Sequence, residues 1–473
     1  MGNHSATLPR AKMAFPNPQP GNEGLKKTGH LPQNRFSLCG AYLMIHGVHL
    51  LNFGNHRDSR LEFGSITALV GRNGSGKTTV LRAIRELARI AAPSPVRFAG
   101  ELFHQGSKQL GVGSQELLLE NVRTGENLVG LSTSGEGRPG TWGLSIEGEV
   151  DPNRSDARVP VKLEWTWLSE TRPGETYLPA LGPAKFPTAA ERATLFAGLK
   201  KSLSEEKSDS PVAGVAGSTM AVATPVNQPK AEWLPQVLDC QYLHGVGINL
   251  HRPSYTSEIP PRLTGGGENL PSVIAYLMTF QPERFEALLD AFRRLVPIVS
   301  RIRVRPATVS KRETTIVSVN RKEMVSEAPK DYSGHELIFD LRSGKGVPAT
   351  VVSEGTLLIL ALLTIFHTSD APQLVLIDDV EQALHPWAQR ELVQHFRALQ
   401  KERPTLQLIL TTHSPYIIDE LDPSEVWMLA ENPIGFAIAK RLSSHPDLPR
   451  AKGILTTGEF WSSDGEAWLF KDS

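Results

Sequence analysis

The chain has 473 residues, enough for two or three domains' worth of core, and Lys+Arg and Asp+Glu both count 50. A net charge near zero excludes a protein coated in basic surface for nucleic acid and leaves only a local patch open. The two cysteines, Cys39 and Cys240, have no metal-ligand spacing, and no apolar run approaches the roughly 20 residues a helix needs to cross a bilayer.

So few cysteines suit a reducing compartment, and the expected location is cytoplasmic. Residues 1–35 are rich in Pro, Asn, Gly and Lys without an apolar signal core, and are expected as a disordered tail. Folded sequence is expected from about Phe36. Tyr42 to Ile45 and Val48 to Leu50 read as strand, running to Asn52-Phe53-Gly54. Ser65 to Val70 reads as a short buried strand. Val80, Ile84, Leu87 and Ala91 then recur at helical spacing. From Gln115 to Leu168, short β-prone runs (Leu117 to Leu119, Leu128-Val129, Trp142 to Val150, Val161 to Leu168) alternate with turn residues, as in an antiparallel sheet. Ala189 to Leu203 has helical spacing, and residues 204–230 have no period and read as a mobile linker. Helices are expected over Asn269–Met278, with Pro271 in the first turn, and over Pro282–Leu295. Arg301 to Val304, Thr314 to Val319 and Glu336 to Leu341 form a β-region. Thr356 to Phe366 is helical. Leu374 to Ile377 and Leu406 to Leu410 have the continuous apolar texture of buried parallel strands, with a helix over His385–Gln400 between them.

Gly71-Arg72-Asn73-Gly74-Ser75-Gly76-Lys77-Thr78 fits G-x-x-x-x-G-K-[ST], and it stands between the strand and the helix that this motif requires. The glycines let backbone N–H groups converge on phosphate oxygens at a helix N-terminus. Asn73 to Thr79 are therefore the candidate nucleotide contacts. Lys77 reaches the outer phosphates, and the Thr78 hydroxyl holds Mg²⁺. Such a loop needs an acidic partner. The run Leu374 to Ile377 ends in Asp378-Asp379, so Asp378 is the candidate metal carboxylate and Asp379 the candidate general base, with Glu381 as a second base candidate. Leu408 to Leu410 leads into Thr411-Thr412-His413-Ser414-Pro415, which places His413 at a strand end as a hydrogen-bond donor to phosphate or water.

These motifs, in this order, resemble the ATP-binding-cassette class of P-loop ATPases, in the branch of SMC-type proteins, RecF and the overcoming-lysogenisation-defect nucleases. Asn52-Phe53 matches that branch's N-F start. Val352-Ser353-Glu354-Gly355-Thr356 resembles its degenerate signature, Asp378 to Pro386 its D-E-x-E-x-x-L-H-P segment, and Thr412 to Pro415 its switch histidine. The resemblance implies an α/β fold: a P-loop NTPase of ABC-ATPase head type with an antiparallel β-subdomain and a helical signature-motif subdomain. It implies ATP and Mg²⁺ as cofactors. It implies a homodimer or higher homo-oligomer closed by ATP, in which Ser353 and the Gly355 N–H complete the partner copy's site and His385-Pro386 lies at the seam. The organisation expected is a tail (1–35), an N-terminal lobe with phosphate loop and β-subdomain (36–200), a flexible insert (201–235), a helical and β insertion region (236–350), a C-terminal lobe with signature, acidic strand and switch histidine (351–430), and a C-terminal tail (431–473).

Three departures stand out. Asp379 replaces the class's catalytic Glu and is one methylene shorter. No coiled-coil arm interrupts the head. About forty residues follow the strand near Trp427–Leu429, too few for a fused nuclease. The glutamine that follows the first helix in this class has three candidates, Gln105, Gln109 and Gln115. A head of this kind is similar to the ATPases of two-gene bacterial defence systems such as PARIS and retron- and Septu-associated modules. The expected function is an ATP-hydrolysing sensor or scaffold controlling a separate nuclease or toxin. The alternatives are a DNA-repair ATPase acting on DNA directly and a nucleotide-gated scaffold with negligible turnover. Arg301, Arg303 and Arg305 share one strand face, with Lys311, Arg312, Arg321 and Lys322 nearby, and read either as a DNA-backbone track or as a solvated or partner-facing sheet surface. Arg262 to Asn269 reads as a glycine-rich turn packing near the nucleotide or the seam. The aromatics Phe460, Trp461 and Trp468 are expected to dock on the body, with binding of a partner as the alternative.

Overall fold

A computed structural model describes residues 44–91, 128–137, 140–149, 161–168, 240–244, 249–319 and 322–470. The expected disordered start, Phe36 to Leu43, the three glutamine candidates, the run Leu117 to Leu119, the helix at Ala189–Leu203 and the linker 204–230 lie outside the described residues.

The centre is a six-stranded sheet. Its strands are β3 (Ile66–Val70), β7 (Cys240–Leu243), β11 (Leu374–Ile377), β12 (Gln407–Thr412), β13 (Val426–Glu431) and β14 (Ala437–Arg441). Their order is β14-β13-β3-β12-β11-β7, parallel except for β14. Every residue of β3, β11 and β12 is buried, because both faces of the sheet are covered. Alternate residues separate cleanly. Ile66, Ala68 and Val70 join a core with α2 (Leu270–Phe280), α3 (Pro282–Leu295), α4 (Glu354–His367) and α5 (Pro386–Glu402). Leu69, Leu376 and Ile409 point to the other face, against α1 (Lys77–Ala91). Helix α4 is buried on all sides from Gly355 to Phe366, so its sequence is apolar without amphipathic period.

The second sheet is antiparallel: β1 (Met44–Phe53), β2 (His56–Glu62), β4 (Leu128–Gly137), β5 (Gly140–Glu149) and β6 (Val161–Leu168), in the order β2-β1-β4-β5-β6. One buried amide joins it to the central sheet. Gln407 Oε1 accepts the Ile45 N–H at 3.0 Å, and Gln407 Nε2 donates to Ile45 O at 2.9 Å and Gly64 O at 3.0 Å.

The third sheet corrects the sequence reading. Three short β-runs were expected between Arg301 and Leu341. The structure has a single hairpin, β8 (Val299–Val319) and β9 (Lys322–Leu341), paired continuously, with β10 (Gly344–Pro348) at its base. Polar and charged residues between the runs hid the continuity: the base of the ribbon buries Ile302, Leu337 and Phe339, while residues such as Arg305, Ser310 and Lys311 farther along it are exposed. Arg303 is ion-paired with Asp340 and Arg305 with Glu336. Two of the three aligned arginines are thus neutralised within the ribbon, against an open DNA track there. The expected C-terminal tail is folded: it supplies β14 to the central sheet and a short helix, α6 (Thr457–Asp464), and buries Phe460, Trp468 and Leu469. No helix among the described residues is long and apolar enough to cross a membrane.

Gln407→Leu leaves one N–H and two carbonyls of a buried junction without partners. The expected cost is about 2–3 kcal/mol, read as a lower urea midpoint, with the nucleotide-loop residues untouched.

Candidate functional site

Ligands of parallel α/β sheets bind outside the carboxyl ends of the strands. There, β3 leaves Val70 and turns through the glycine loop into α1. Gly71 has φ +146°, and a Cβ on it would collide with the Leu429 carbonyl of β13. Gly76 has φ +98°, and a Cβ there would sit 2.5 Å from His56 Nε2 and 2.7 Å from Asn55 Oδ1. Asn55 lies in the turn between β1 and β2 and His56 opens β2, and both brace the loop. Asn55 Nδ2 donates to Gly74 O at 2.8 Å, and His56 Nε2 donates to Gly76 O at 3.1 Å. Sequence reasoning missed both. Their only signal is their place just after Asn52-Phe53.

A cavity of about 350 Å³ opens on the loop. Asn73, Gly74, Gly76, Lys77, Thr78 and Thr79 line it from one side, with Asp379, His413, Asn55 and Glu431 opposite or at its rim. Ser75 is buried beside it and leaves its hydroxyl without a protein partner. Lys77 is buried and donates to Gly71 O at 2.8 Å and Arg72 O at 3.0 Å. Burial lowers the Lys77 pKa, while the carboxylates of Asp379, Asp378, Glu381 and Glu466 pull it back up. Glu466 arrives from the C-terminal segment: its carboxylate accepts the Arg72 N–H at 2.9 Å.

Asp378 ends β11 and is heavily hydrogen-bonded. Its Oδ1 accepts from Thr78 Oγ1 at 3.1 Å and from Thr411 Oγ1 at 2.7 Å, and its Oδ2 accepts from Tyr242 OH at 3.3 Å. Burial raises the Tyr242 pKa, and the Asp378 charge adds to the effect. Asp379 sits in the left-handed region at φ +49°, held there because its N–H donates to Thr411 Oγ1 at 2.8 Å. Its side chain reaches the cavity. Glu381 does not line the cavity. Its Oε1 instead accepts the His413 N–H at 2.6 Å, fixing the switch loop, and its Oε2 is buried without a protein partner. The oxygen donors of Thr78 and Asp378 suit a hard cation such as Mg²⁺.

Ser353 and Gly355 do not line this cavity. Ser353 caps α4, its Oγ accepting the Thr356 N–H at 3.4 Å, and it is exposed. Gly355 is buried against the Ala383 carbonyl, so the start of α4 packs on the segment that follows Asp379. Val351, 71% exposed, and Trp387, 47% exposed, stand in the same two segments. The Arg262 to Asn269 turn packs on β7: Gln241 Nε2 donates to Leu263 O at 2.8 Å and the His244 N–H to Gly265 O at 3.2 Å.

Comparison with known proteins agrees with this arrangement. Residues 44–101 match the family described as "AAA ATPase domain", and residues 265–419 match "AAA domain, putative AbiEii toxin, Type IV TA system". The first match contains the glycine loop, residues 71–78, and the second contains Ser353, Gly355, Asp378, Asp379 and His413. Two stretches of the chain thus resemble AAA-type ATPase domains. Among curated relatives, the chain is similar to "Retron Ec83 probable ATPase" of Escherichia coli, 30% identical over 106 residues (20% of this chain, 19% of that one). It is also similar to "Septu protein PtuA" of Bacillus mycoides strain KBAB4, 31% identical over 112 residues (24% of this chain, 15% of that one). The matches therefore span under a fifth of either relative's length. Among solved structures, the SMC head domain from Thermotoga maritima aligns over 84% of this chain and 98% of its own, at 11% identity and TM-score 0.38. An SMC head bound to the C-winged helix domain of ScpA aligns over 84% and 98%, at 13% identity and TM-score 0.44.

Burial holds the His56 pKa down at about 4, from 6.5 in an unfolded chain. The neutral ring fits the fold, so its contribution is complete above pH 6.5 and is lost as pH falls toward 4. A shift of that size corresponds to about 3 kcal/mol. Urea denaturation at pH 7 and pH 4.5 is expected to show a larger loss in the parent than in His56→Gln, whose side chain does not titrate.

Proposed function

We propose that this protein binds Mg·ATP in the cavity at the glycine loop, hydrolyses it, and pairs through ATP with a second copy to control a partner effector in defence against phage. The observation that carries the reading is the contact between Thr78 and Asp378, residues 300 positions apart, with Lys77 beside them and Asp379 and His413 facing the same space. In this reading, the loop N–H groups and Lys77 bind the phosphates, and Thr78 and Asp378 hold the metal. Asp379 orients the attacking water and takes its proton, while His413 donates to the γ-phosphate edge. Glu381 positions His413 through its backbone and is not the base. When bound, Mg²⁺ neutralises charge on the phosphates.

Pairing with a second copy is supported by the placement of Ser353 and Gly355. They lie away from their own chain's cavity, at a helix start whose N–H groups and hydroxyl suit phosphate. The exposed Val351 and Trp387 nearby are side chains that a second copy would cover. The defence role rests on the relatives' names, and the effector is a separate nuclease or toxin. A scaffold with little turnover is the second reading, and Asp379 favours it. A carboxylate one methylene shorter than Glu stands farther from an attacking water, and proton transfer falls steeply with that distance.

Equilibrium binding of a fluorescent ATP analogue tests the site, and sedimentation tests the pairing. Lys77→Ala is expected to lose nucleotide affinity by more than tenfold. Asp379→Asn is expected to keep it, lose steady-state phosphate release, and accumulate the ATP-dependent dimer. Ser353→Arg is expected to bind nucleotide as a monomer. Unchanged affinity in Lys77→Ala would remove the site assignment. A parent that binds ATP and dimerises yet releases no phosphate above background selects the scaffold reading.

A further inference from the structure

We propose that Tyr242 is a positioning residue for the metal carboxylate, and that it couples Asp378 to the glycine-rich turn at 262–269. This rests on the reading above that Asp378 holds the metal of Mg·ATP. Tyr242 lies on β7, next to the acidic strand, and is 6% exposed. Its phenol donates to Asp378 Oδ2, the oxygen that neither Thr78 nor Thr411 reaches. The main chain repeats the tie: the Asp378 N–H donates to Leu243 O at 2.9 Å. With both oxygens engaged, the carboxylate has one orientation. Mg²⁺ demands near-ideal octahedral geometry, so that orientation decides how well the cation is held.

The phenol is itself held in place. Its ring stacks on His244, with centroids 4.7 Å apart and planes 9° from parallel, and the Arg85 guanidinium lies 5.3 Å from its centroid. The turn then presses on this stack. A Cβ on Gly265 would lie 3.0 Å from Tyr242 O and 3.2 Å from the His244 ring. Asn269 locks the turn, its Oδ1 accepting the Thr264 N–H at 2.9 Å and its Nδ2 donating to Arg262 O at 2.7 Å. The turn runs directly into α2. A displacement of α2 and its turn therefore reaches the metal carboxylate through two stacked rings. No motif in the sequence marks Tyr242, because its role depends on β7 pairing with a strand more than 130 residues later.

The test is magnesium-dependent binding, not turnover. A fluorescent ATP analogue is titrated with MgCl₂, and separately in EDTA, on the full chain and on Tyr242→Phe. Loss of an outer-shell partner of a metal ligand costs roughly 10–100-fold in metal affinity. The expected result is a magnesium midpoint raised by at least about tenfold, with analogue affinity in EDTA unchanged. A purely structural role would move both or neither. Gly265→Ala, which pushes the turn onto the same stack, is expected to shift the midpoint in the same direction and carries the test if the Phe variant does not fold. An unmoved midpoint in a folded variant overturns the inference. If the parent itself shows no magnesium-dependent binding, the reading of the site fails first, and that outcome is visible in the parent alone.

Discussion

The carboxylate of Asp378 is where separate parts of this chain meet. Thr78 comes from the first helix, Tyr242 from an outer strand of the central sheet, and Thr411 from the strand between β3 and β11, and each donates a hydrogen bond to it. Asp378 is half-buried, and a carboxylate partly removed from water is stabilised by each hydrogen bond it accepts. Three hydroxyl donors meet this carboxylate and so tie together the glycine loop, the acidic strand and the strand that leads to His413. The parallel sheet supplies the registry: Thr412 pairs with Val70 and Ile377 with Leu410, so the loop, the carboxylates and His413 emerge at one edge.

Two further arrangements protect this edge. Beside the glycine loop, Asn55 and His56 are the partners of the Gly74 and Gly76 carbonyls. Beside it, Glu466 anchors the Arg72 N–H, and Trp468 and Leu469 behind it are buried in the main core. The C-terminal segment is thus part of the nucleotide-loop environment, with a carboxylate that acts on Lys77 at a distance.

What the sequence made legible was whatever is local. The glycine loop with its strand and helix, the acidic strand, the threonine-histidine strand end and helix α3 at Pro282–Leu295 all carry their pattern within about twenty residues, and all appear where they were read. The residues that escaped act across long separations. Gln407 clasps Ile45, Tyr242 meets Asp378, and His56 supports Gly76; none has a neighbour in sequence that announces the contact. The β8–β9 ribbon escaped for the opposite reason. It is local, but only its base buries apolar residues such as Ile302 and Phe339, and apolar periodicity is silent about the exposed stretch beyond them. Glu381 was read as a possible base because it follows two aspartates. Its backbone partner in the switch loop is visible only once β11 and β12 are side by side.

The central sheet also sets a timetable. Strand β3, which carries the nucleotide loop, is flanked on one side by β12 and on the other by β13, strands that the ribosome makes some 340 and 360 residues later. At about 5–20 residues per second, the loop waits roughly 20–70 s for its neighbours during synthesis. Until then Gly71 has no Leu429 carbonyl against it and Asp378 has no Thr411. The site at the carboxyl edge of the sheet is therefore assembled only after β12 and β13 have been made and have paired on either side of β3.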